Sequence, residues 1–342
     1  MFFRRKCVIG LHLGSSAVTA ALVQEGRRGA PPVLLDAVAL ATGEGQPLEE
    51  ALAAVSARWG RRCRDCTAAF WPEEGMIRFF EHRGALGEVE ALLKSRHWQL
   101  LAQNYGDFVF GCGPLPVVES NGGGPPPARR YVCCGMPAAR LAVMEGLFAR
   151  AKLKIKVLQL SPLAVFNAFD LLERETAQRG NTLLVDVGGE AATIVGGRGG
   201  TAELARRVPH GLNTLTERLI LDGGISPEED FAALSADDDI NVESARQCLA
   251  ELAKEIASSI DYFQTHLNRL DGLYFTGAVT RSEAVLKILG EMIRADMVLD
   301  GGEREIPFKP WNPLERLGLP EKPEPGGANW AAALGAAFQY LC

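Results

Sequence analysis

The sequence predicts an α/β protein of two lobes, each built on the order strand, strand, strand, helix. Two segments carry this reading. Ile9-Gly10-Leu11-His12-Leu13-Gly14-Ser15-Ser16-Ala17-Val18-Thr19 and Leu183-Leu184-Val185-Asp186-Val187-Gly188-Gly189-Glu190-Ala191-Ala192-Thr193 share one pattern: an apolar run, a turn of small residues and a second β-rich run. Each is followed by a third strand and then a helix, so the second half of the chain repeats the plan of the first. At 342 residues the chain is also too long for one compact core.

The first lobe opens with strands over Val8–Leu13, Val18–Val23 and Val33–Leu40, then a helix from Pro47 to Trp59 with Ala, Leu and Val at helical spacing. Cys66–Trp71 and Met76–Phe80 read as strands, Leu86–Asn104 as an amphipathic helix and Phe108–Cys112 as a strand. Gly113–Pro127 has too much Gly and Pro for a regular element and reads as a surface loop. A strand over Tyr131–Cys134, a helix over Pro137–Lys152 and a strand over Ile155–Leu158 follow. Next comes a helix over Ser161–Gln178, with Ser161 expected as its N-cap and Pro162 in its first turn.

The second lobe has strands at Leu183–Val187, Thr193–Gly196 and Ala202–Val208 and a helix from Leu212. Ser226–Leu270 reads as helical, with Asn241 capping its long run. Gly272–Thr276 is a strand ending in Gly277, and Ser282–Arg294 a helix. Trp311–Gly327 is Pro-rich and reads as irregular, and Ala328–Leu341 is an Ala-rich closing helix.

Composition excludes several classes. A net charge of -6 offers no basic field for nucleic acid. No apolar run reaches the length of a membrane span, and the basic start MFFRRK meets His12 too soon for a signal-peptide core. There is no GxxxxGK[ST], HExxH or nucleophile elbow. Of the eight cysteines, only Cys63 and Cys66 form a CxxC, without a second pair at zinc spacing, so no metal site is expected. Asp237-Asp238-Asp239 lacks the later Gly and Glu of a calcium loop and is expected at a helix N-terminus. His82, His97 and His266 are expected beside helices on solvated faces.

The paired hairpins, Tyr274-Phe275-Thr276-Gly277 and the closing helix resemble the actin-like ATPase superfamily, a two-lobed fold related to ribonuclease H. Within it the chain is similar to the bacterial PilM family of type IV pilus assembly proteins, with FtsA more distant. The resemblance rests on the basic start before the first hairpin, on Tyr131–Leu158, on Ser161-Pro162-Leu163-Ala164, on Val208-Pro209-His210-Gly211-Leu212, and on Ala257–Phe263 leading to Leu273–Gly277. It implies a first lobe over 1–71 and 156–180, with an inserted 1C-type subdomain over 72–155 that serves partners or self-assembly. It further implies a 2A-like part over 181–220, a helical 2B-like part over 221–270, the second lobe resuming over 271–327, and a helix over 328–342 returning to the first lobe.

By the same resemblance, Gly14, Ser15, Ser16, Asp186, Gly188, Gly189 and Gly277 stand where the family binds ATP with Mg²⁺. Backbone N–H groups at such small-residue tips can cradle phosphates. The sequence departs from the family at three places. His12 replaces the aspartate that organises Mg²⁺, and Thr19 a polar or basic residue. Glu190 brings a carboxylate to the second tip, and Ala278-Val279 leave less room for a purine than the usual glycines. Two readings stand together at this point: the tips bind ATP, or the glycines serve only their turns. Hydrolysis is not expected, no catalytic residue is assigned, and His12 reads as a core residue.

The expected function is a scaffold on the cytoplasmic side of the inner membrane, in a type IV pilus or type II secretion platform. It would be held there by the cytoplasmic tail of a PilN-like membrane protein, with self-association left open and no nucleic-acid partner. Alternatives are an ATP-dependent sugar or acid kinase and an FtsA-like filament former. The first lacks a metal aspartate and a base in the first lobe, and the second lacks an amphipathic helix after the closing one.

Overall fold

The computed structural model describes residues 5–27, 30–43, 47–95, 105–116, 128–226, 228–234, 239–267, 269–299, 306–317 and 330–342. In chain order the first elements are β1 (Cys7–Leu13), β2 (Ala17–Gln24), β3 (Val33–Ala41), α1 (Leu48–Trp59), β4 (Asp65–Phe70), β5 (Met76–His82), α2 (Leu86–Lys94), β6 (Phe108–Pro114), β7 (Arg129–Pro137) and α3 (Ala138–Arg150). They are followed by β8 (Lys154–Leu160), α4 (Ser161–Leu172), α5 (Arg174–Arg179), β9 (Asn181–Val187), β10 (Ala192–Arg198), β11 (Thr201–Val208), α6 (Asn213–Leu221) and α7 (Asp239–Leu267). The last are β12 (Gly272–Gly277), α8 (Glu283–Leu299), β13 (Phe308–Pro310), α9 (Pro313–Leu317) and α10 (Trp330–Leu341).

The described residues of Met1–Phe70 and Ala151–Cys342 form one compact unit, and Trp71–Arg150 a second. The first unit holds two five-stranded sheets, ordered β3-β2-β1-β4-β8 and β11-β10-β9-β12-β13. These are the same sheet built twice: an antiparallel meander of three strands, then two strands added parallel to the first. The second unit is an antiparallel sheet, β5-β7-β6, with Met76, Val89, Leu93, Tyr131 and Cys133 at its core.

Two helices lie between the paired sheets. The Ala-rich α10 is apolar all round and buried from Trp330 to Phe338, as such a helix must be. It packs on β1, β2, β4 and β8 of the first sheet and on α4, which in turn lies on the second sheet. The two helices meet backbone to backbone. A Cβ at Gly335 would fall on the Ala164 carbonyl and come within 3.0 Å of the Ala168 nitrogen. On the second sheet, Gly196 and Gly197 of β10 point to opposite faces. Gly196 leaves room for the Phe263 ring of α7, and Gly197 for the Phe166 ring of α4. Phe169 of α4 packs on Tyr274 at 4.8 Å and on Trp311 at 5.1 Å between ring centroids.

Several expectations are corrected. Ser161 is the first residue of α4 rather than its cap, which is Leu160 with no side-chain bond. The helix expected to run to Gln178 breaks at Glu173, whose carboxylate accepts from Nε and Nη2 of Arg316 at 2.6 and 2.9 Å. Residues 228–230 are not helical, Phe231–Ala233 is a single 3₁₀ turn, and Asn241 lies inside α7, where its Nδ2 reaches the Gly224 carbonyl. Pro137 ends a strand, and His82 lies in β5. The strand Phe308–Pro310 was not foreseen, and Pro313–Leu317 is a short helix within the stretch read as irregular. Residues 96–104, with His97, most of the Gly113–Pro127 loop, Asp237-Asp238 and 318–329 lie outside the described residues.

The helix crossing makes a paired test. Gly335→Ala should lower stability by about 2 kcal/mol or more, because the methyl meets backbone that cannot yield. Gly87→Ala, in α2 where nothing lies within 4 Å, should raise it by about 0.5–1 kcal/mol. Chemical denaturation of both variants checks this, and equal effects would contradict the crossing.

Candidate functional site

The β1–β2 and β9–β10 turns have the same construction. Each is closed by one bond across its four residues, Gly14 N–H to the Ala17 carbonyl and Gly188 N–H to the Ala191 carbonyl, both at 3.0 Å. Behind each turn lie matching cross-strand pairs, His12 opposite Thr19 and Asp186 opposite Thr193. His12 is thus the counterpart within this chain of Asp186.

A following segment then fixes each tip. Thr42 donates from its N–H to the Ser16 carbonyl at 2.8 Å and from its hydroxyl to the Ser15 carbonyl at 3.4 Å. At the second tip the N–H groups of Leu212 and Asn213, where α6 begins, bond the carbonyls of Gly188 and Gly189 at 3.1 and 2.8 Å. Carbonyl and N–H point to opposite sides of a trans peptide plane. Drawing these carbonyls inward therefore turns the N–H of Ser16, Gly189 and Glu190 to the other side, the arrangement an anion requires. Thr42 and Asn213 were not foreseen as part of the tips. For Asn213 the signal was available, because Gly211 just before α6 leaves room for the Gly189 carbonyl.

Gly277, Asp186 and the second tip come together. Gly277 ends β12 beside Val187 with φ 81°, a conformation that favours glycine. A Cβ there would strike the Asp186 carboxylate and lie 2.8 Å from the Val187 carbonyl. Asp186 is buried and accepts from the Thr193 hydroxyl at 3.5 Å. The chain after Gly277 turns into a 3₁₀ segment, Ala278–Arg281, held by Thr280 Oγ1 on the Gly277 carbonyl at 2.8 Å. Val279 belongs to the core of the second lobe, and Ala278 packs partly buried against it.

Ser15, Ser16 and Glu190 are exposed, and Thr19 is buried. His12 is half-buried beside Gly14, and burial pushes its imidazole from 6.5 down to about 4, so the ring is neutral near pH 7. A neutral imidazole in place of a carboxylate brings no negative charge to a hydrated Mg²⁺. His266 lies outside this region and stacks on Tyr262 at 4.2 Å. Among the described residues no group of three or more His, Cys, Asp or Glu could hold a metal ion, and no helix is long and apolar enough to cross a membrane.

The depressed pKa of His12 has a consequence for acid stability. The unfolded chain takes up the proton near 6.5 and the folded one only near 4, so protonation favours unfolding inside that window. Above it the group contributes nothing, and stability falls as pH drops through it. His12→Gln should therefore lose less stability than the native chain between about pH 7 and about pH 4.5. Denaturation at both pH values measures the difference, and parallel losses would show an ordinary His12.

No family model matches this sequence, and no curated protein matches it. Solved structures do. The chain is similar to a PilM-PilN type IV pilus biogenesis complex, with 19% identity over 98% of each chain and a TM-score of 0.74. It is also similar to the ethanolamine utilization protein EutJ from Carboxydothermus hydrogenoformans, with 12% identity over 98% of this chain and 90% of that one and a TM-score of 0.51. The chain has the two-lobed actin-like ATPase fold, in the form seen in the pilus complex.

Proposed function

We propose that this chain is a scaffold of a type IV pilus or related type II secretion assembly platform, working at the cytoplasmic face of the inner membrane. In this reading it holds the cytoplasmic tail of a PilN-like membrane protein, through which it reaches the membrane. The observation that carries the proposal is the similarity to the PilM-PilN complex along nearly the whole of both chains. An extended tail would gain backbone hydrogen bonds along a groove, with alternate side chains in pockets.

The decisive experiment uses the tail of a short single-span protein encoded beside this chain. A synthetic peptide of that tail should bind the full chain in a one-to-one ratio by calorimetry, and a scrambled peptide should not. Absence of binding, together with phosphorylation of a sugar or acid by the purified chain, would return the kinase reading.

A nucleotide fits the same reading as a ligand rather than as a fuel. Ser16, Gly189 and Glu190 would hold its phosphates through backbone N–H groups, with Gly14, Ser15 and Gly188 shaping the turns that present them; Asp186 would hold a hydrated Mg²⁺, and Gly277 would pass beside the adenosine. The weak point of that site is His12, a poor partner for a hard cation. ATP with Mg²⁺ should therefore raise the melting temperature little. A site filled a thousandfold over its Kd would add about 4 kcal/mol, an obvious shift. His12→Asp combined with Glu190→Ala should increase any stabilisation, and a Mg²⁺-dependent shift of several degrees in the native chain would overturn the weakened-site reading.

A further inference from the structure

Cys112 of β6 and Cys133 of β7 are direct partners across the sheet of the second unit. The phase of the ladder is fixed at both ends. Leu115 N–H donates to the Arg130 carbonyl and Ala138 N–H to the Asp107 carbonyl, each at 2.9 Å. Hydrogen-bonded and non-bonded pairs alternate along an antiparallel ladder. Stepping by two residues from either end leads to Gly113 with Val132 and to Gly111 with Cys134 as the hydrogen-bonded pairs. Cys112 and Cys133 fall between them, at a non-hydrogen-bonded position. There the Cα atoms approach to about 4.5 Å and the side chains come closest, within the span a disulfide bridges.

The surroundings of the two sulfurs differ. Cys133 is fully buried with Tyr131, Val89 and Leu93, and its hydrogen bond with Cys112, together with burial, raises its pKa. Cys112 is half-buried and lines a cavity of about 790 Å³ with Leu93, Phe108 and Phe110. Cys134 follows Cys133 in the strand and so points to the other face, where burial pushes its thiol up to about 12. All eight cysteines of the chain are free.

We propose that Cys112 and Cys133 are a reversible redox pair that a peroxide closes into a cross-strand disulfide. The Cys112 thiolate attacks one peroxide oxygen; the S–O bond forms as the O–O bond breaks, and water leaves after protonation. The Cys133 sulfur then attacks the sulfenic sulfur, the S–S bond forms, the S–O bond breaks and a second water leaves with the Cys133 proton. Two thiols lose two electrons in all, and the peroxide gains them. The product ties the edge strand β6 to the central strand β7 beside the cavity wall.

The test exposes the reduced full chain to hydrogen peroxide, alkylates the remaining thiols and maps linked peptides by mass spectrometry. The expected result is a loss of two alkylatable thiols, a Cys112–Cys133 link, and full recovery with dithiothreitol. Cys134→Ser should keep the link. Cys133→Ser should abolish it, and so should Cys112→Ser, at a half-buried position where folding is less at risk. Eight thiols still alkylated after peroxide, a Cys112–Cys134 link, or Cys112 oxidised to a sulfinic acid without a link would overturn the proposal.

Discussion

The close crossing of α4 and α10 is the constraint on which the rest of the first unit depends. Each helix is covered on one side by a sheet and on the other by its partner, and at Gly335 and Ala164 no side chain separates them. The spacing of the two sheets is therefore set by backbone contact, which interior packing density leaves little freedom to change. The composition of α10 follows from this position. Alanine and glycine keep it thin enough to fit between β1 and α4, and Trp330 and Phe338 bound its buried stretch.

The duplicated sheet gives each lobe an internal control for the other. Strand order, the pairing behind the turn and the bond that closes the turn agree between the lobes. Against that agreement the difference between His12 and Asp186 stands out as chemical rather than architectural. The same position with the same threonine partner holds an imidazole in one lobe and a carboxylate in the other.

The parts of the fold legible in the sequence are those whose cause is local. Both hairpins announce themselves through alternating apolar runs around Gly14 and Gly188, and the Ala-rich closing helix through its composition. What was missed has a distant cause. The strand Phe308–Pro310 is too short and too rich in proline to show a period, and it exists because β12 offers it an edge. Asn241 has the chemistry of a cap, but the long helix begins at Asp239 and its amide serves Gly224 instead. Within the site, the glycines and Asp186 could be picked out from their pattern. Thr42 could not, because its role rests on where the third strand ends. The facing of Cys112 and Cys133 likewise depends on a strand register that no spacing in the chain records.

The bonds behind the second tip brace it against the packed helices of its lobe. Gly188 and Gly189 are joined through Leu212 and Asn213 to the first turn of α6, and α6 lies on the long helix α7. The tip cannot shift without either breaking two backbone hydrogen bonds or carrying α6 along. Because Phe263 of α7 is seated over Gly196 on the neighbouring strand, a tilt of α6 pushes against a helix that is itself pinned to the sheet. Displacement of the turn is thus resisted by packing that reaches back to the sheet itself, a stiffness that a free loop would not have.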